Sequence, residues 1–313
     1  MNKLFQSPIY FWCSAYWRTR FLLVCVLCAS AGSAPAGATD TNPAASLRAR
    51  HAALTEQLSH NQFQQPLYLD STESSGNLKG DIYALVDYPF AIVNAALNSP
   101  AHWCDVLILH LNTKYCHAST SRAGTALTAY IGTKHDQPLK EAYPVEFIYR
   151  VAATMPEYFQ VQLNAEKGPL STSNYRIVLE AVSIGGGRTF LHLTYSYDYG
   201  FAGRLAMKTY LATIGSDKVG FTIASKLPNG QPNGQPDYIG GVRGLVERNT
   251  MRYYLAIDAY LSAVAAPPAE QLEKRLQKWF TATERYSRQL HEVDRATYLD
   301  MKHSEYLRQQ TAQ

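Results

Sequence analysis

Apolar and polar positions alternate through residues 143–199 in four blocks parted by turn signals, which predicts four consecutive β-strands. Residues 145–151 keep a period of two, and residues 158–163 repeat it after Met155-Pro156. Residues 175–184 and 189–199 flank Gly185-Gly186-Gly187, whose missing Cβ atoms permit the positive φ angles of a tight hairpin. In the last block Phe190, His192, Thr194 and Ser196 point to one face, and Leu191, Leu193, Tyr195, Tyr197 and Tyr199 to the other. The second face is almost wholly apolar or aromatic and requires a cover.

The flanking patterns extend this sheet and supply that cover. Upstream, Leu67-Tyr68-Leu69 opens a strand, residues 71–80 are rich in Ser, Gly and Asn and read as a turn, and residues 81–87 alternate as a strand ended by Pro89. Ile92, Val93, Ala96 and Leu97 recur at spacings of three and four, giving a short helix that stops at Asn98-Ser99-Pro100. Residues 126–132 form a further strand candidate, and Leu47, Leu54 and Leu58 mark a loosely packed helix within residues 44–62. Beyond Gly200, residues 205–211 predict a helix ended by Gly215, and residues 218–223 one more strand. Residues 241–264 carry a broad apolar stripe that includes Leu245, Met251, Tyr254, Leu255 and Tyr260, so a long helix is expected to lie over the sheet. Pro267-Pro268 breaks it, and residues 269–310 read as one or two charged, peripheral helices buried on the side of Leu272, Leu276, Trp279 and Phe280.

Composition changes the picture at the N-terminus. Lys3, Arg18 and Arg20 precede an apolar run over residues 21–31, and Ala36-Gly37-Ala38 has the small residues of a cleavage site. About a dozen apolar residues fall short of the ~20 needed to span a bilayer, so a cleaved secretory leader is expected, with a periplasmic or secreted product. Removing three basic and no acidic residues with the leader takes the formal charge from +4 to +1, which leaves no nucleic-acid footprint. The expected organisation is a leader over 1–38, a helical segment over 39–65, a main domain over 66–265 and a helical extension over 266–313. Pro-Asn-Gly-Gln occurs twice over residues 228–235 and reads as a surface loop.

Candidate chemistry concentrates in residues 102–117. Cys104 and Cys116 are the two cysteines of the mature chain, and an oxidising compartment favours pairing them; two separate buried thiols is the other reading. An extended chain would hold them ~35 Å or more apart, so pairing demands a turn near the middle of the span. His102, Cys104, Cys116 and His117 are also the residue types of a zinc site, although their spacing matches no common motif. Cys104, Asp105 and His110 are the types of a nucleophilic set, yet neighbours along one strand do not converge, and His110 is expected to face solvent or be satisfied in the sheet. The chain has no Gly-x-Ser-x-Gly elbow, phosphate loop or His-Glu-x-x-His helix, and no cofactor or metal is expected. Arg243 and Glu247 stand four apart at the start of the long helix, spaced either to pair or to receive a ligand headgroup.

Taken as an order of elements, the chain resembles the helix-grip fold of the START-like (Bet v 1-like, polyketide cyclase and lipid-transport) superfamily. The resemblance rests on the strand 81–87 with Tyr88-Pro89-Phe90, the helix 91–97 with Asn98-Ser99-Pro100 and Trp103, the strands between 125 and 199, and the helix 241–264. It implies an α+β fold with a curved antiparallel sheet around a long C-terminal helix and a cavity between them. The implied function is non-catalytic binding of an apolar or amphipathic, lipid-like small molecule in the cell envelope, with an envelope protein or membrane surface as a further contact. Tyr195, Tyr197, Tyr199, Arg243, Glu247, Tyr254 and Trp103 are the expected ligand-binding residues, with tight core packing as the other reading of the tyrosines. Two alternatives are a START-like cyclase or hydrolase using Asp105, His110 or Arg243 in one pocket, and an envelope interaction protein acting through residues 269–310.

Overall fold

A computed structural model describes residues 42–212, 217–224 and 237–311. The expected leader and the duplicated 228–235 loop lie outside the described residues. Helices α1 (Pro43–Ala53) and α2 (Thr55–Ser59) lead into strands β1 (Leu67–Ser74) and β2 (Asn77–Val86). Helices α3 (Phe90–Leu97) and α4 (Pro100–Leu107) precede β3 (Thr113–Ser121), β4 (Gly124–Ile131), β5 (Tyr143–Met155), β6 (Tyr158–Lys167), β7 (Thr172–Gly185) and β8 (Arg188–Tyr199). The chain ends in α5 (Phe201–Ala212), α6 (Gly241–Ala263), α7 (Pro268–Glu284), α8 (Ser287–Leu290) and α9 (Arg295–Thr311).

The strands form one antiparallel sheet in the order β1-β2-β8-β7-β6-β5-β4-β3. Register shifts interrupt the ladders at Val151/Ala153, Ser173/Arg176 and Ser183/Gly185, where an extra residue bends and twists a strand. The sheet therefore curves around its helical layer: α6 packs on β1, β2 and β8, while α4 packs on β3 and β4. Period-two parity puts Leu191, Leu193, Tyr195, Tyr197 and Tyr199 in the main core with Val246, Met251, Leu255 and Ile257 of α6. The helix crosses β2 at Gly80, where a Cβ would collide with Thr250 Oγ1, so a glycine is what lets backbone and helix approach this closely.

Four expectations are corrected. Residues 71–80 are largely strand, because the β1–β2 ladder runs from Leu67↔Ala84 to Ser74↔Asn77 and leaves only Ser75-Gly76 to turn, with Gly76 at φ +87°. Residues 218–223 form no strand beyond a single bridge, Ile223↔Tyr238, since Gly220 lies against Gly244 of α6 and the Phe221 and Thr222 N–H groups go to the Glu247 side chain. The N-terminal helices do not pack loosely: Leu47, Leu54 and Leu58 bury against Tyr83, Tyr158, Val182 and Phe190 on the outer sheet face. Nor are the last helices peripheral, because Trp279 of α7 and Tyr298, Met301, Lys302 and Glu305 of α9 are buried against α6, α4 and β3.

The outer face carries a charged network next to α1. His192 Nδ1 meets Glu180 Oε1 at 2.7 Å and Nε2 meets Asp81 Oδ1 at 2.9 Å, with the ring stacked on Tyr83 at 4.1 Å. Two carboxylate partners require both ring nitrogens to donate. Burial opposes the imidazolium, but the hydrogen bonds and charges of Asp81 and Glu180 outweigh it and raise the His192 pKa above 6.5. The same contacts outweigh burial at Asp81 and Glu180 and lower theirs below 3.8 and 4.5. A raised histidine stabilises fully below its unfolded value and loses that as pH rises through the folded one. Depressed carboxylates stabilise above their unfolded values and lose that in acid. This network therefore contributes most between about pH 4.5 and 6.5. Urea midpoints should fall on going from mildly acidic to alkaline buffer, and His192→Gln should flatten that fall; an unchanged slope rejects the assignment.

Candidate functional site

A cavity of about 440 Å3 lies between the inner sheet face and α6. Its apolar wall combines Val145 and Phe147 of β5 with Tyr175 of β7 and Tyr195 and Tyr197 of β8, and α6 presents Leu245, Asn249 and Tyr253 to it. The aromatic rings brace one another: Tyr175 stacks on Tyr197 at 5.1 Å, and Tyr195 meets Tyr253 at 5.0 Å. Burial raises the Tyr195 and Tyr253 pKa values, so both phenols stay neutral and can donate or accept. The rim is formed by Pro169 and Leu170, by Met207 of α5 and by residues 131–141. Leu170 is 69 % exposed at φ +56°, a conformation uncommon for a non-glycine residue.

The end of the cavity at His110 is its polar end. Residues 108–112 turn the chain between α4 and β3, and the Asn112 N–H donates to His110 Nδ1 at 3.2 Å. Nδ1 is thus an acceptor, the ring proton sits on Nε2, and Nε2 meets no hydrogen-bond partner among the described residues. Burial, followed by the charges of Arg252, Lys302, Lys134 and Lys114, pushes the His110 pKa well below 6.5 and keeps the imidazole neutral. His110 therefore neither faces solvent nor sits satisfied in the sheet.

The expected site residues disperse to three kinds of place. Tyr195 and Tyr197 line the cavity. Tyr199 and Arg243 lie instead on a separate surface groove with Glu73, Ser74 and Arg204, where the Tyr199 hydroxyl donates to Glu73 at 3.5 Å. Glu247, Tyr254 and Trp103 are in the packed interior. Trp103 Nε1 donates to the Leu97 carbonyl at 2.8 Å, and Tyr254, unlike its neighbour Tyr253, does not line the cavity. Glu247 does not pair directly with Arg243. Its Oε1 accepts from Ser71 Oγ at 2.5 Å and Thr222 Oγ1 at 2.6 Å, and its Oε2 from the Phe221 and Thr222 N–H groups at 2.5 and 3.0 Å. Arg243 reaches only Ser71 Oγ, at 2.8 Å. The carboxylate thus supplies the acceptors for the Phe221 and Thr222 N–H groups, while the Gly220 N–H donates to the Ile239 carbonyl.

Residues 102–117 resolve in favour of the disulfide. Cys104 and Cys116 are bonded with Cα atoms 5.2 Å apart, because helix α4 and the following turn replace the extended path. Both sulfurs are consumed, which removes the zinc set and the thiol nucleophile. Asp105 is bound by Arg275 at 2.9 Å, away from His110, so the set Asp105, His110 and Arg243 does not share a pocket. Sequence reasoning placed His110 in a pocket only under the enzyme alternative, and it passed over Tyr175, Leu245 and Asn249 as lining groups. Two signals could have found the last three: Leu245, Asn249 and Tyr253 recur every four residues along one face of α6, and Tyr175 shares the parity of inward-facing Ile177 and Leu179.

No protein-family model matches the chain, and no curated protein matches it. Among solved structures it is similar to a conserved protein from Geobacillus kaustophilus at 17 % identity, over 44 % of this chain and 86 % of that one, with a TM-score of 0.30. It is also similar to norcoclaurine synthase from Thalictrum flavum (12 % identity, 46 % and 92 % covered, TM-score 0.30). The human StAR-related lipid transfer protein 5 gives 10 % identity, 54 % and 89 % covered, and a TM-score of 0.30. A bent antiparallel sheet closed around the long late helix α6, with α3 and α4 inserted after β2, makes this an α+β fold of helix-grip arrangement.

Proposed function

We propose that this protein binds an apolar or amphipathic small molecule in the cavity between the sheet and α6, and carries it without transforming it. The single observation behind this reading is the 440 Å3 space itself, walled by aromatic side chains where a packed core would have closed it. Export to a periplasmic or extracellular compartment belongs to the reading, and the Cys104–Cys116 bond supports it because such bonds persist where the surroundings are oxidising. Contact with an envelope protein through residues 269–310 is a weaker reading, since α9 is built into the core and offers no detachable arm.

Leu245 is half-buried on the cavity wall, so Leu245→Trp should fill the space without disturbing the main core. The neutral fluorophore Nile red should bind the wild type, and the variant should bind it about tenfold more weakly at an unchanged melting temperature. Absence of binding to the wild type, or equal binding by the two, rejects the cavity as the ligand site. Fractionation of the producing cell with N-terminal sequencing checks export, with a mature chain beginning near Thr39 expected.

A further inference from the structure

The cavity wall carries no basic side chain, and its one carboxylate, Glu141, is exposed at the rim. Immediately behind the wall at His110, however, the ion pairs among the described residues gather more cations than carboxylates. Lys114 and Lys302, both fully buried, share Glu305 at 2.9 and 2.7 Å. Arg252 and Lys134 share Glu292 at 2.7 and 2.6 Å, with Lys218 at 3.8 Å from the same carboxylate. Five cations thus stand on two carboxylates. Arg252 also donates to Asn249 Oδ1 at 3.3 Å, and Lys134 follows Gly132 and Thr133, so this second cluster abuts cavity-lining residues. His110, one of the residues at that end of the cavity, holds a buried donor, Nε2–H, that has no acceptor among the described residues. Leaving a buried donor unmatched is costly, and an acceptor bearing negative charge makes the stronger bond.

We propose that the His110 end of the cavity is an anion site, taking the carboxylate of a single-chain amphipathic acid whose tail lies along Phe147, Tyr175, Tyr195 and Tyr197. This rests on the cavity being the ligand site. The carboxylate accepts from His110 Nε2–H, and the excess positive charge behind the wall favours it over a neutral or cationic head. The positive charges that add to burial in lowering the His110 pKa act on the ligand in the opposite sense and attract its anion. The available volume sets the tail: 440 Å3 holds on the order of fifteen groups at about 30 Å3 each, which suits one medium chain and is too small for a diacyl lipid.

The test is calorimetric titration of the full mature chain at neutral pH with dodecanoate, dodecanol and dodecylamine, which share a tail and differ in head charge. Dodecanoate should bind at least about tenfold more tightly than dodecanol, with dodecylamine weakest. His110→Phe should bring acid and alcohol to within about threefold of each other. Because that position is buried, the half-exposed pair Lys134→Gln and Lys218→Gln gives a second reading, in which the preference narrows while circular dichroism is unchanged. Equal binding of all three ligands overturns the anion site and leaves the cavity standing. Binding by none of them overturns both. A preference for the acid that survives all of these substitutions also overturns the site, because the anion would then be held elsewhere.

Discussion

Replacing Glu305 with alanine should lower the unfolding free energy of the full chain by about 3–5 kcal/mol, the largest effect expected of any single substitution here. The side chain is fully buried between two fully buried ammonium groups. Lys114 also donates to the Leu111 carbonyl, and Lys302 to the carbonyls of His110 and Thr113. Those carbonyls satisfy geometry but not charge. Burial already brings the Lys302 pKa down to about 8, against the opposing charge of Glu305, so without that carboxylate the two cations face each other in a dry interior. Urea titration followed by circular dichroism measures the loss, and a change below about 1 kcal/mol would falsify the buried triad. The same triad anchors α9 beneath the 110–113 turn, so the ligand site and the last helix stand or fall together.

Removing the disulfide as Cys104→Ser/Cys116→Ser should cost about 3 kcal/mol, the chain-entropy value for a loop of this size. The bond closes a twelve-residue separation and ties the last turns of α4 to the start of β3. His110 lies midway along that loop. The double variant should therefore weaken dodecanoate binding more than Nile red binding, because the turn that aims Nε2 is freed while the aromatic wall is untouched. Reduction of the wild-type protein with a thiol reagent should reproduce both effects. Equal loss for the two ligands would mean that the bond supports the fold as a whole and not the polar end of the cavity.

The local elements were legible because their periodicity is dictated by one buried face. Strands β5 to β8 and helices α3 and α6 follow directly from period two and from spacings of three and four, and the Gly185-Gly186-Gly187 turn sits at positive φ as a tight hairpin requires. The errors fall where a distant partner sets the backbone. Residues 218–223 alternate like a strand, but Phe221 and Thr222 give their N–H groups to Glu247, a residue some twenty-five positions away. Residues 71–80 have turn composition yet pair along their length, because β2 offers a complete ladder. The charged pattern of α9 reads as a solvated surface, and only the opposing Lys114 explains why Glu305 and Lys302 are inside.

The sequence by itself determined the α+β class, strands β4 to β8 and the long covering helix, since hydrophobic periodicity is a local property that each segment carries alone. The pairing of Cys104 with Cys116 was half determined: the residue types and an expected oxidising compartment favoured it, and the helix and turn between them allowed it. Tertiary structure alone decided which tyrosines face open space and which face core, because that depends on how far α6 stands off the sheet. It alone decided that His110 keeps an unmatched donor amid an excess of positive charge, for that field is summed from β3, α6, α9 and residue 134, which are remote in the chain and adjacent in the fold.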